Sequence, residues 1–134
     1  MLARDYIMRL LNDFNENLEL LLSRKKKEDD PELEVALQSL YNTYFNHLPK
    51  YYYNEDGENI LNDLMNKYEG TEILTRIEML AELLYQDALC KQSEEQKNLL
   101  SKSLYLLEYL DKNSGTFSIQ RRDRIDEIKK RVSF

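Results

Sequence analysis

The stretch TEILTRIEMLAELLYQDALCK, Thr71 to Lys91, decides the fold class. Ile73, Ile77, Leu80, Leu84 and Ala88 recur at steps of four and three, with Leu74, Ala81 and Tyr85 beside them. That is the period of a helix with a wide apolar face, whereas a strand would alternate at every second position. Thr71 is placed to cap its start, and the spacing predicts one helix running to about Lys91.

The same period continues on both sides. Downstream, Ser93-Glu94-Glu95-Gln96 reads as a capping box, followed by Leu99, Leu100, Ser103, Leu104, Leu106, Leu107 and Leu110 over so wide an arc that this helix should be the most buried. Gly115 is the expected left-handed residue beyond it. Phe117 is an expected core anchor, and Thr116 or Ser118 starts a basic closing helix around Ile125, Ile128 and Val132. Upstream, Ile7, Leu11, Phe14, Leu18 and Leu21 predict a long first helix from Ala3 to about Lys27, its last turn carrying Arg24, Lys25, Lys26 and Lys27.

Asp29, Asp30 and Pro31 stop that helix and start a second, about Pro31 to Asn46, burying Leu33, Leu37, Leu40, Tyr41, Tyr44 and Phe45, with Leu48 just beyond as a further core candidate. Pro49 ends it, and Lys50-Tyr51-Tyr52-Tyr53 reads as a connector. Asn54 or Asp56 caps a third helix burying Ile60, Leu61, Leu64, Met65 and Tyr68, closed by Gly70. The expectation is a single all-α domain, residues 1–134. It has about six helices in antiparallel α-α hairpins, forming a short superhelix with a long N-terminal helix. The second and third helices and the fourth and fifth form two pairs offset by about 40 residues, within the range of helical repeats.

Composition narrows the function. A chain of 134 residues can bury a core without staples. Nineteen basic against 25 acidic residues give a net charge of −6, which disfavours a role coating nucleic acid. One cysteine, Cys90, fits a reducing, cytoplasmic setting and reads as an ordinary packed thiol. Polar residues Asn12, Asp13, Asn15 and Glu16 follow the first turns at once, so no signal peptide is expected. No window of about 18 apolar residues marks a membrane span.

Two stretches carry a resemblance: Asp5-Tyr-Ile-Met-Arg9, and Leu106-Leu-Glu-Tyr-Leu-Asp-Lys-Asn-Ser-Gly-Thr-Phe-Ser118 with the Arg-rich helix after it. With the looser Ala81-Glu-Leu-Leu-Tyr85 helix, they resemble an uncharacterised family of short helical proteins from Gram-positive bacteria, a domain of unknown function. The resemblance implies a helical, bacterial, cytoplasmic protein and brings no activity. Ala81-x-x-Leu84-Tyr85-x-x-Ala88 and the Leu-rich helix after it are also similar to a tetratricopeptide helix pair. The Trp-x-x-Leu-Gly-x-x-Tyr pattern and the 34-residue period are absent, so the likeness is one of packing rather than of a peptide groove.

Catalytic and metal motifs fail one by one. One histidine and one cysteine cannot make a zinc site, a Cys-His nucleophile or paired Glu-x-x-His ligands. His47 reads as a helix C-terminal cap. Tyr52-Tyr-Asn54-Glu-Asp56-Gly57 looks like a calcium loop only until Gly57 is set at the sixth position, which puts Tyr52 where the first carboxylate belongs. No cofactor or metal is expected, and an enzyme would need carboxylates or tyrosines that converge only in three dimensions.

What remains are surfaces. Adjacent Tyr51, Tyr52 and Tyr53 cannot all face one core, so at least one should be exposed, and Tyr52 and Tyr53 are candidate partner contacts; plain packing in the gap between helix pairs is the favoured reading of the two. Residues 29–70 hold nine acids against two lysines. Residues 117–134 hold six bases against three acids, making Arg121, Arg122 and Arg124 the other partner-binding candidates. The first expectation is a non-catalytic protein-interaction module or self-associating scaffold, whose partner is another protein or itself as a homodimer through the N-terminal helix. The alternative is binding of RNA or an anionic surface through the basic C-terminal helix, although nucleic acid is disfavoured by net charge.

Overall fold

The computed structural model describes residues 2–23 and 31–133. Among them the chain is all-helical, with seven helices: α1 Leu2–Ser23, α2 Pro31–Phe45, α3 Pro49–Asn54, α4 Gly57–Lys67, α5 Thr71–Ala88, α6 Ser93–Asn113 and α7 Ile119–Val132. The expected basic last turn at Arg24 to Lys27 and the caps at Asp29 and Asp30 lie outside the described residues. The seventh helix comes from the tyrosine connector. Pro49, with its φ already helical, opens the short α3 instead of only closing α2.

α5 is the hub, packing against α1, α2, α4 and α6, while α7 rests on α6. Ten of its 18 residues are buried, against seven of 21 in α6, so the expectation that the Leu-rich helix would be the most enclosed is overturned. The reason is position: α5 is flanked by four helices, whereas α6 leaves Ser101 and Tyr105 to solvent. Small residues let the two approach, and Ser103 Oγ donates to the Ala81 carbonyl at 2.7 Å. Phe14, Tyr41, Phe45, Tyr52, Ile77, Leu80 and Leu84 are essentially inaccessible, each such side chain contributing about 1.5–3 kcal/mol. Met65, expected in the core, is 38% exposed.

Helix ends are closed in two ways. Some caps are local: Asp56 accepts from Asn59 N at 2.8 Å, Ser118 accepts from Arg121 N at 3.2 Å, and Asn46 and Gly115 take left-handed φ values of 68° and 75° after α2 and α6. Others reach across the fold. Lys67 and the Tyr52 hydroxyl both donate to the Phe45 carbonyl, at 3.2 and 3.3 Å, and Arg76 donates to the Tyr44 carbonyl. Buried Lys102 donates to the carbonyls of Tyr52 and Tyr53, at 2.7 and 2.8 Å, closing α3. The capping box at Ser93 does not form. Gln96 turns back instead and donates to the carbonyls of Ala88 and Lys91, at 3.1 and 3.0 Å, where α5 ends. Phe117, expected as an anchor, is 75% exposed; Arg121 holds that turn from inside by donating to the Thr116 carbonyl.

Candidate partner-binding cleft

The tyrosine connector packs inward, in keeping with the plain-packing reading, and none of its three rings is fully exposed. Tyr52 is fully buried and stacks on Tyr41 with ring centroids 4.9 Å apart. Tyr51 is half-buried and stacks on His47 at 3.8 Å, and Tyr53 is half-buried with its hydroxyl donating to Asp87 Oδ2 at 2.6 Å. The short helix α3 lets all three rings pack on separate neighbours, so the rule that one must face water fails here. His47 is likewise more than a cap: Asn46 takes the left-handed position and His47 Nε2 bridges to Asp63 at 3.1 Å. Cys90 is half-buried against the core.

Asp87 gathers a convergent polar set. It is 0% exposed and also accepts from the Tyr41 hydroxyl at 2.7 Å. Its Oδ1 makes no hydrogen bond among the described residues but faces the Lys91 ammonium at 3.3 Å. Lys91 in turn pairs with Glu34. Burial, and then the neighbouring carboxylate, push the Tyr41 and Tyr53 hydroxyls well above the ordinary tyrosine range. Asp87 and Tyr41 are buried and Tyr53, Lys91 and Glu34 half-buried around them, and the set ties α2, α3 and α5 together.

The arginines of α7 are engaged inside the chain. Arg121 is 8% exposed, with Nε donating to Asp111 at 3.3 Å, and exposed Arg122 pairs with the same carboxylate at 2.6 Å. Those hydrogen bonds, that of Arg122 first, hold the Asp111 carboxyl below its usual range. Arg124 lies 3.7 Å over the Tyr85 ring and reaches Glu82 at 2.9 Å. Burial and a hydrogen bond to Glu127 push the Tyr85 hydroxyl up to about 12. Lys129 faces Glu108 at 3.4 Å and Arg131 faces Glu127 at 3.2 Å.

Two of these arginines border a cleft of about 510 Å³ between α1 and α7. Its apolar surface comes from Leu11, Phe14, Leu18 and Leu22 of α1, Met79 of α5 and Leu107 of α6. Asn15, Glu19, Glu78 and Glu82 line it from α1 and α5, and Ser118, Gln120, Arg121 and Arg124 from the α7 side. The α1 residues share one face over about three turns, or roughly 16 Å at 1.5 Å per residue. Phe117 and Ile119, either side of Ser118, add exposed apolar surface at 75% and 64%. Thus Arg121 and Arg124 meet at the cleft, Arg122 lies outside it, and Tyr52 and Tyr53 do not contribute to it.

No family model, no curated protein and no solved structure matches the chain. The candidate site is therefore carried by geometry. Sequence reasoning had placed Phe14 and Leu18 on a core stripe, correctly for burial, without seeing that the stripe also walls a cleft. Met79 was the one available signal, an apolar residue off the line that Ile73 to Ala88 draws. Among the described residues no group of three or more His, Cys, Asp or Glu could hold a metal ion, and no helix is long and apolar enough to cross a membrane.

Proposed function

We infer that this chain is a non-catalytic protein-interaction module whose α1/α7 cleft receives a helical segment of a partner. The observation that carries the reading is an apolar trough about three turns long with charged walls, the form in which an amphipathic helix is taken up. The enclosed Asp87 set supports a structural use of the convergent carboxylate and tyrosines. In this reading the helices pair as antiparallel, tetratricopeptide-like hairpins. Support comes from α5 and α6, where the Gln96–Ala88 and Ser103–Ala81 bonds step seven residues forward along α6 and seven back along α5.

Two other expectations have less support. Self-association through α1 calls for a continuous outer stripe, yet Tyr6 and Leu20 are 14 positions apart and Met8 lies about 200° round from Tyr6 at 100° per residue. Binding of RNA calls for free cations on α7, and Arg121, Arg122, Arg124, Lys129 and Arg131 are paired with acids of the same chain or of the same helix, which leaves exposed Lys130 alone without an acidic partner among the described residues. The docking reading is tested with fluorescent amphipathic helical peptides and the half-buried cleft residues. L11D and L22D should retain helical circular dichroism and lose peptide binding at least tenfold, about 1.4 kcal/mol. Peptides that bind these variants as well as the parent chain would refute it.

A further inference from the structure

The charges bordering the cleft are unequally compensated. On the α7 side, Arg124 is held by Glu82 and Tyr85, and Arg121 by Asp111 and the Thr116 carbonyl, so neither guanidinium is available to a ligand without breaking an existing bond. On the α1 and α5 side, Glu19 and Glu78 are exposed and have no ion-pair or hydrogen-bond partner among the described residues. Glu82 is already neutralised by Arg124. Among the described residues that line it, the trough thus offers an apolar floor with two unpaired carboxylates and no unpaired cation.

We propose that the occupant of the cleft is a basic amphipathic helix of a partner protein, its apolar seam on half-buried Leu11 and Leu22, over the buried floor of Phe14, Leu18, Met79 and Leu107, and its lysines or arginines facing Glu19 and Glu78. This rests on the docking reading and adds the sign of the partner. A helix with an acidic flank would bring like charge against those two glutamates, which costs affinity and specificity. The roughly 16 Å of α1 that lines the trough matches about 11 residues of helix, so apolar side chains at i, i+4, i+7 and i+11 span it.

The test uses the full chain and three labelled 15-residue synthetic peptides read by fluorescence anisotropy. One has a leucine seam flanked by lysines, one has the same seam flanked by glutamates, and one has the lysine composition scrambled so that no seam forms. The seamed lysine peptide should bind at least tenfold tighter than either of the others. E19Q/E78Q should weaken it about three- to tenfold, in line with two exposed charge pairs. E58Q/E94Q removes the same charge from exposed acids outside the cleft and should change it less than twofold. Equal or tighter binding of the glutamate peptide overturns the basic-helix assignment and leaves docking intact. Equal losses in the two double variants, or binding of the scrambled peptide as tight as the seamed one, reduce the effect to attraction by net charge and also overturn it. Absence of binding by either seamed peptide overturns the assignment and the docking reading together.

Discussion

Removal of the Asp87 carboxylate is the sharpest probe of how the helices are held. In D87A the Tyr41 hydroxyl, on a residue with 0% exposure, loses its acceptor, as does the Tyr53 hydroxyl on a half-buried one. A buried donor left without a partner costs about 1–3 kcal/mol, and Tyr53 falls at the low end because water can reach its side. Lys91 retains Glu34, so its ammonium adds little. Small cavity terms bring the total to about 3–5 kcal/mol, the range found when one member of a buried charge pair is removed. With a urea m-value of about 2 kcal/mol/M, the midpoint should fall by about 2 M at unchanged slope. Y41F alone should cost about 1 kcal/mol, and the double variant Y41F/D87A should be less destabilised than the sum of the singles, because the orphaned hydroxyl is gone. A midpoint loss under about 0.5 M, or strict additivity of the two changes, would show that Asp87 does not organise this junction.

Other perturbations follow from the same contacts. A Cβ on Gly57 would lie 2.8 Å from Tyr105 Cγ and 2.9 Å from its Cβ. G57A should therefore destabilise by about 1–3 kcal/mol in thermal melts and become neutral or stabilising in a Y105A background; the same loss in both would refute the α4/α6 packing. K102M leaves the Tyr52 carbonyl buried without a donor and should cost about 2–3 kcal/mol in urea, with K102R recovering part of it. Burial raises Tyr44 and Tyr85 to about 12, and Tyr41, Tyr52 and Tyr53 further, while an unfolded tyrosine ionises near about 10. Between these values the unfolded chain has released protons that the folded chain retains, so stability present below pH 10 is lost as pH rises above it. Absorbance at 295 nm should show these five ionising together with loss of helical dichroism, and five early ionisations in a still-helical protein would count against their burial.

Much of this fold is legible in periodicity, because α1, α2, α4 and α7 each bury one face against α5 or α6. The stripes at Ile77, Leu80, Leu84 and Ala88, and at Leu37, Tyr41 and Tyr44, are read correctly from spacing alone. Local caps are legible for the same reason: Asp56, Ser118 and Gly115 act within a few residues of their own position. What spacing cannot carry is a donor that arrives from elsewhere in the chain. Arg76 closes α2 from 32 residues away and Lys102 closes α3 from about 50, and in sequence each is one more polar residue on a helix. The expectation that one connector tyrosine would face water fails through the same gap. Three adjacent tyrosines cannot share one wall, but Tyr51 finds His47, Tyr52 finds Tyr41 and Tyr53 finds Asp87, and only the fold supplies three walls.

This way of closing helices has an electrostatic consequence that joins the fold to the cleft. With three glycines in the chain, most helix ends cannot be closed by a left-handed glycine, and cations do part of that work. Lys102 is committed wholly to backbone carbonyls, and Arg76 and Arg121 each give one arm of the fork to a carbonyl. A cation held by a carbonyl dipole is withdrawn from pairing with the surface, and the chain already has six more acids than bases. Carboxylates must therefore be left over on the outside, and α7, basic in sequence, pairs five of its six cations, all but Lys130, with Glu82, Glu108, Asp111 and Glu127. Glu19 and Glu78 are what that accounting leaves at the α1/α7 trough. Reversing it should move the specificity: E19K/E78K should transfer preference from the lysine-flanked to the glutamate-flanked peptide, because both substitutions fall on exposed positions whose side chains hold no partner among the described residues.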